Sequence, residues 1–509
     1  MSRAKSRPDD RSITSGSDFL QLDIADAPAG GRSGWLAEQL RRAIGDGRLP
    51  VGSRLPATRV LAGDLRVSRG VVTEAYQRLG EDGHVAGRGR GGTIVVAAPV
   101  SAPGPAPAPP AAPRAGAVFG GEPDAGVFDA LRAARARIDL SPGVPDLAAF
   151  PRTAWLRAER AVLASLSASD LGYGDPRGAP ALRRAVADWL ARNRGIRVDP
   201  GEVLIVAGVA QALGLVGRAL RADGVTAVAV EDPGSLGTRQ HLWHSGFTTP
   251  PVPVDGDGVV VRELRACGAP AALLTPAHQF PAGVVLGGER RRELMRWAAD
   301  GGLVLEDDYD AEHRYDRPPV PALRAVLPER VCYAGSVSKL LAPALRVGWV
   351  VAPARYRDTL IEDKRFADLG NAVLPQLVLA QLMESGQLER QLRFLRRRHH
   401  RRRDAMITAI RAYLPDATVH GAAAGLHLMI TFAGGPPDTE LAAAALERGV
   451  KVQPLSWHRQ VPGPPGLVLG YAASTPTDIA AGVAAIGAAR RAPLSRGPAA
   501  RRSPSGTPG

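Results

Sequence analysis

Cysteine is scarce: two occur in 509 residues, Cys267 and Cys332. They form neither a CxxC pair nor any metal-ligand spacing, which excludes a disulfide scaffold, argues against a structural zinc site and predicts a reducing, cytoplasmic compartment. No run approaches the ~20 consecutive apolar residues of a membrane helix, and residues 1–20 lack the apolar stretch of a signal peptide. Neither a membrane span nor export is expected. Lysine is nearly absent, since of 64 basic residues only Lys5, Lys339, Lys364 and Lys451 are lysines. Any catalytic amine is therefore one of four. Acidic residues number 50 against those 64, and the resulting net charge of +14 makes a polyanion such as nucleic acid a plausible partner.

At roughly 100–200 residues per domain, this length predicts two to four domains. The sharpest composition break is AAPVSAPGPAPAPPAAP, residues 97–113, with seven prolines in seventeen residues and no charge. Such a segment prefers extended polyproline II and separates folded units as a semi-rigid spacer. The organisation expected is a tail over 1–16, a first domain over 17–96, a Pro-rich linker over 97–136, a second domain over 137–491 and a tail over 492–509. Both tails are polar, basic and rich in Ser, Pro and Gly, a composition that favours disorder.

In the first domain, GWLAEQLRRAIGDG places Leu36, Leu40 and Ile44 on one face, predicting a helix that ends near Gly45. Two shorter helices follow. One begins at Pro56, and the other has Ser68 as its N-cap and buries Val72, Ala75, Tyr76 and Leu79, with a tight turn at Arg66 and Val67 between them. HVAGRGRGGTIVV then reads as a two-stranded hairpin with a Gly/Arg tip. This order is that of a winged helix-turn-helix. Arg69 and Thr73 lie on the first turns of the last helix, opposite its apolar stripe, where a recognition helix reaches base edges. Arg59 and the tip residues Arg88 and Arg90 flank them, and Ser68 offers a phosphate a donor. Each arginine alone also reads as part of a solvated charged face.

The second domain alternates apolar β-runs at 203–207, 226–230, 271–274, 303–305 and 347–351 with helical segments. It is expected to be α/β, with a mostly parallel central sheet and ligands at the carboxyl ends of its strands. Lys339 stands in SVSKLLAPALRVGW, with Ser336, Ser338 and Arg346 near it. An amine that forms a Schiff base needs desolvation, and hydroxyls with an arginine suit a phosphate on the same ligand. Pyridoxal 5'-phosphate demands that combination, although a lone lysine there is more often structural. In LVLEDDYDAEHRYD, Asp307 and Tyr309 follow an apolar strand, where a carboxylate suits a protonated pyridine nitrogen and a phenol the ring oxygen. VLIVAGVAQALGLVGRAL turns from strand to helix at Gly208, Ala210 and Gln211, offering N–H groups to a phosphate. LGYGDPRGAP carries Tyr173 on a turn. LRFLRRRHHRRRDAM, 392–406, reads as an amphipathic basic helix, with a secondary DNA contact as the alternative.

The segment RLPATRVLAGDLRVSRGVVTEAYQRLGEDGHVAGRGRGGTIV resembles the winged-helix domain of GntR-type regulators. Over 137–490 the motifs YGDPRG, GVAQAL, EDPG, TPAHQFPAG, EDDYDAEHRY, SVSKLLAPALRVGW and AGLH resemble, in order, the fold-type I aminotransferase domain of the MocR subfamily of those regulators. The resemblance implies a homodimer binding promoter DNA through Arg59, Ser68, Arg69, Thr73, Arg88 and Arg90. It also implies pyridoxal phosphate held as an aldimine by Lys339, with Asp307 on the pyridine nitrogen and Tyr309 on the ring oxygen. Ser336, Ser338, Arg346, Gly208, Ala210 and Gln211 would contact the phosphate, His278 would stand near the ring, and Tyr173 would reach in from a second subunit. An amino compound is a further candidate effector.

Two departures qualify that picture. Ser235 stands where the family usually has a stacking aromatic, and Leu467 or Val468 stands where aminotransferases hold the substrate carboxylate with arginine. Arg239 is the candidate replacement. Without a cationic clamp a substrate forfeits orientation and charge pairing, so sensing is expected rather than efficient transamination. The alternative is a working aminotransferase with an appended DNA-binding module.

Overall fold

In the computed structural model, the described residues are 19–28, 30–89, 92–97, 115–314, 320–421 and 424–492. Both expected tails, residues 98–114 of the linker and Arg90 lie outside them, apart from Ala492. The chain divides into two compact units, 1–111 and 112–509.

The first unit has helices Arg32–Gly45, Thr58–Asp64 and Arg69–Glu81, then an antiparallel hairpin of Val85–Gly87 with Thr93–Val95 in the register Val85↔Val95. Leu36, Leu40, Ile44, Leu61, Val72, Leu79, Val85 and Val95 are buried together. The four-residue spacing in the first helix thus supplies one wall of a small core that the third helix completes. The second helix starts at Thr58, two residues after Pro56, whose carbonyl accepts a hydrogen bond from the Tyr76 hydroxyl at 2.9 Å. Ser68 occupies the N-cap position of the third helix, yet its side chain makes no capping hydrogen bond. The expected cap is a position without the bond, and the hydroxyl stays exposed.

In the second unit an eight-stranded sheet has the order Val203–Val206, Gly348–Val351, Val331–Ser336, Leu303–Asp308, Ala271–Leu274, Val228–Asp232, Pro251–Asp255, Gly258–Val259. The pairings among Val331–Ser336, Leu303–Asp308, Ala271–Leu274, Val228–Asp232 and Pro251–Asp255 are parallel. Gly348–Val351 runs antiparallel to both its neighbours. Helices cover the sheet, so its strands are near-continuous apolar runs rather than alternating ones. A four-stranded antiparallel sheet, Ala417–His420, His427–Phe432, Gly466–Gly470 and Gln453–Pro454, packs with helices Gln387–Tyr413, Asp438–Glu447 and Pro476–Arg491.

Residues 115–136 differ from the expected linker. They carry helices Ala115–Phe119 and Val127–Ala133, and Val118, Phe119, Val127 and Leu131 are buried in the second unit's core. One proline stands among these 22 residues and twelve of them are apolar, a composition unlike that of 97–113; they pack against Trp457 and the Asp438–Glu447 helix. The arginine-rich segment lies within Gln387–Tyr413, where Leu388, Leu392, Leu395, His399, Arg402 and Met406 form the buried stripe.

Candidate functional site

On the third helix of the first unit, Arg69 and Thr73 are exposed, as are Arg59, Ser68 and Arg88. Arg69 donates to the Thr58 hydroxyl at 3.2 Å, and the Thr73 hydroxyl to the Arg69 carbonyl at 2.9 Å. Other arginines of the unit are neutralised: Arg41 by Asp82 and Glu38, Arg42 by Glu38, Arg48 by Asp46 and Arg78 by Glu74. Arg59, Arg69 and Arg88 form no ion pair among the described residues. Arg32, Arg54 and Arg66 likewise form no ion pair among the described residues, so the unit keeps unpaired positive charge of the kind that suits a polyanion.

The second unit holds a cavity of about 590 Å³ at the carboxyl ends of its parallel strands. Lys339 projects into it from the turn after Val331–Ser336. Its Nζ donates to the Gly143 carbonyl at 2.5 Å, and burial lowers its pKa against the opposing pull of Asp310 and Asp307. Desolvation thus favours the neutral amine that nucleophilic attack requires. Asp307, at the end of Leu303–Asp308, also lines the cavity. Burial first, then Asp308 and Asp310, push its carboxyl up to about 7, and its Oδ1 has no hydrogen-bond partner. A buried acceptor without a donor is costly, and a cationic N–H from a ligand would satisfy it.

Next to it, Tyr309 Oη lies 3.0 Å from His278 Nδ1, which is also 2.9 Å from Asp310 Oδ2. Burial raises the Tyr309 pKa well above its ordinary value, keeping the phenol protonated. Another part of the wall is formed around Gly208 and Arg346. Gly208 adopts φ +84°, a conformation that side chains disfavour, and it opens the helix Val209–Ala222. A Cβ there would stand 3.4 Å from the Arg346 guanidinium. Ser336, Ser338, Arg346, Gly208 and Ala210 all line this part, beside a helix N-terminus.

Two expected residues, Gln211 and His278, are placed differently. The Gln211 N–H is engaged by the Gly208 carbonyl, and its side chain spans the Ala207 N–H and Asp368. That makes it a support of the turn rather than part of the cavity wall. His278 is buried behind Tyr309, outside the wall, and Tyr173 is 93% exposed. Ser235 lines the cavity and caps the helix Leu236–His244 by accepting from the Thr238 N–H. The aromatic rings in the wall are those of Phe128, Phe280, Tyr309 and three histidines, His241, His427 and His458. Leu467 and Val468 are fully buried in Gly466–Gly470. Arg239 is buried against the Trp457 carbonyl and does not line the cavity, so it does not stand in for the missing clamp.

Sequence reasoning missed the segment SPGVPD, 141–146, which forms one wall and supplies the Gly143 carbonyl. Asp146 anchors it by accepting from Arg398 at 2.8 Å and Arg402 at 2.7 Å. A run with two prolines, a glycine and an acidic residue, just before a helix, was the available signal. Asp310, Thr275, Phe280, His427, His458, Lys451 and Gln453 were missed too.

A DNA-binding head joined to an aminotransferase-type pocket is the class that this fold and this site define. Residues 136–486 match the family described as aminotransferase class I and II, and residues 33–95 match the bacterial regulatory proteins of the gntR family. The chain is 32% identical to a probable rhizopine catabolism regulatory protein, MocR, of Rhizobium meliloti, over 88% of this chain and 91% of that protein. It is also 32% identical to the HTH-type pyridoxine biosynthesis transcriptional regulator PdxR of Corynebacterium glutamicum, over 86% and 91%. The α-aminoadipate aminotransferase LysN of Thermus thermophilus, solved with N-(5'-phosphopyridoxyl)-L-leucine, superposes with TM-score 0.64 at 27% identity, over 70% of this chain and 92% of that one. The chain belongs to the MocR-type GntR regulators, in which a winged helix-turn-helix is fused to a class I and II aminotransferase domain.

Proposed function

We propose that the protein is a cytoplasmic, DNA-binding transcriptional regulator controlled by pyridoxal 5'-phosphate in its aminotransferase-type pocket. The observation that carries this reading is the pairing, in one cavity, of a desolvated lysine with an aspartate whose buried Oδ1 lacks a donor. Those two groups fit the aldehyde and the pyridine nitrogen of that cofactor. When bound, the cofactor supplies a carbonyl for reversible covalent capture of amines.

The chain's own residues then divide the work. Lys339 holds the cofactor through its amine, Asp307 faces the ring nitrogen, and Tyr309, kept protonated and backed by His278, faces the ring oxygen. Ser336, Ser338, Arg346 and the N–H groups near Gly208 and Ala210 take the phosphate, with Gln211 bracing that turn. Arg59, Ser68, Arg69, Thr73, Arg88 and Arg90 contact promoter DNA. The absence of a cation at Val468 favours sensing over turnover, and no specific observation favours a working aminotransferase.

A homodimer fits the surface. Leu156 and Leu163, seven residues apart on the helix Arg152–Ser165, are about half exposed, and Leu171 and Tyr173 follow on the next turn. A second copy would cover them and present two heads to paired half-sites. Pocket occupancy regulates DNA only if it favours one arrangement of heads over another. The test is binding of a DNA fragment from upstream of the protein's own gene, by fluorescence anisotropy, with and without pyridoxal phosphate. A change in affinity of at least threefold is expected in wild type and absent in Lys339→Ala. Equal affinities in both proteins would refute control by the cofactor.

A further inference from the structure

The arginine-rich helix Gln387–Tyr413 has two unlike faces. Its inner face is tied to the second unit at several points. Arg398 and Arg402 donate to Asp146 Oδ2 at 2.8 and 2.7 Å, Arg396 donates to the Glu312 carbonyl at 2.7 Å, and His399 Nδ1 lies 3.4 Å from His313 Nδ1. The helix is thereby a fixed support.

The outer face carries Arg393, Arg397 and Arg401, all exposed and spaced by four residues. Each step of four rises about 6 Å and turns about 40° beyond a full revolution, so the three side chains leave one stripe about 12 Å long. No other helix among the described residues carries three exposed arginines at this spacing. The helix has two acids, and both are taken up elsewhere: Glu389 lies 3.7 Å from Arg192, and Asp404 pairs with His400 and Arg403. Arg393, Arg397 and Arg401 form no ion pair among the described residues.

Like charges one turn apart repel, so the stripe weakens the helix that carries it. A solvated charged face usually mixes signs, as where Arg290 meets Asp255 and Glu293. An evenly spaced row of one sign, fixed from behind, instead complements a polyanion of regular charge. Duplex DNA carries one phosphate per about 3.4 Å of axis on each strand, so the stripe faces about three or four of them. Guanidinium forks suit phosphate oxygens. DNA is also the polyanion that the gntR-type head of this chain recruits.

We propose that Arg393, Arg397 and Arg401 form a second DNA contact, on the aminotransferase-type unit, that grips phosphates without reading sequence. It rests on the regulator reading only for the identity of the polyanion. The three residues lie outside the cavity wall, so this contact needs no cofactor.

The test uses the full-length protein without added cofactor and two duplexes of about 60 bp, one from upstream of its own gene and one of unrelated sequence, across a salt series. Fluorescence anisotropy reads binding. The triple variant Arg393→Gln/Arg397→Gln/Arg401→Gln should bind the unrelated duplex at least tenfold more weakly than wild type at low salt. Its slope of log affinity against log salt should be shallower by about 2–3, at about 0.9 per phosphate contact, on both duplexes. Preference for the upstream duplex should survive in it, whereas Arg69→Ala should reduce that preference. Replacing the same three arginines by lysine keeps the charge and should leave affinity within threefold of wild type. If the glutamine variant does not fold, Arg397→Glu alone should still lower the slope by about 1.

Wild-type affinity and slope in the glutamine variant overturn the second contact and leave the head's role standing. A wild type without preference for the upstream duplex counts against the head's assignment, and the unrelated duplex then judges the stripe alone. Failure of wild type to bind either duplex overturns both. Loss of binding to phosphatidylserine vesicles, with binding to both duplexes unchanged, would assign the stripe to a membrane surface and overturn the proposal.

Discussion

Replacing Asp307 by asparagine should move apo stability and cofactor affinity in opposite directions. The Asp307 carboxyl is pushed from its ordinary value of 3.8 up to about 7, chiefly by burial. A difference of about three units, at 1.36 kcal/mol each, makes the charged form cost on the order of 4 kcal/mol in the folded apo protein. Because the folded value lies above the unfolded one, the folded state holds its proton longer. This contribution is therefore fully present below about pH 4 and is lost as pH rises towards 7. Asparagine has no such dependence. Urea denaturation of the apo proteins should find Asp307→Asn gaining on wild type between pH 5 and pH 8. Pyridoxal phosphate binding should weaken about 100-fold or more at pH 8, since the ring nitrogen loses its charged partner, about 3 kcal/mol at 1.4 kcal/mol per decade. A variant that binds the cofactor as tightly as wild type, or is less stable than apo wild type at pH 8, would refute the reasoning.

Other consequences can be measured independently. Arg69→Ala removes an exposed, unpaired guanidinium and should weaken operator binding about tenfold, with a shallower salt dependence and an unchanged cofactor spectrum. Equal operator affinity would count against the assigned recognition helix. Gly425→Ala should destabilise the second unit by about 2–4 kcal/mol, because φ is +86° and the new Cβ would lie 2.0 Å from His278 Cε1. A loss under 0.5 kcal/mol in urea denaturation would show that His278 can move aside.

The parts legible in sequence are those where local pattern and chemistry coincide. The winged helix followed from a four-residue apolar period, a turn and a Gly-rich hairpin tip, all within a short contiguous stretch. Lys339, Asp307 and Gly208 stood out because strand ends announce themselves by apolar runs. What stayed hidden was set by pairing between distant segments. Lys451 reaches the cavity through a two-residue strand, and its Nζ binds the Arg132 carbonyl 319 residues away. Residues 115–136, expected as linker, carry two helices whose Val118, Phe119, Val127 and Leu131 are buried in the second unit's core. Gln211 shows the opposite error: a residue on the right turn whose side chain is committed to Asp368.

The most direct test of the central claim is the visible absorption spectrum of the purified protein with pyridoxal phosphate, wild type beside Lys339→Ala. A visible band in wild type that is absent from the variant is the predicted result. The same spectrum from both proteins, or no band from either, would contradict a cofactor held by Lys339.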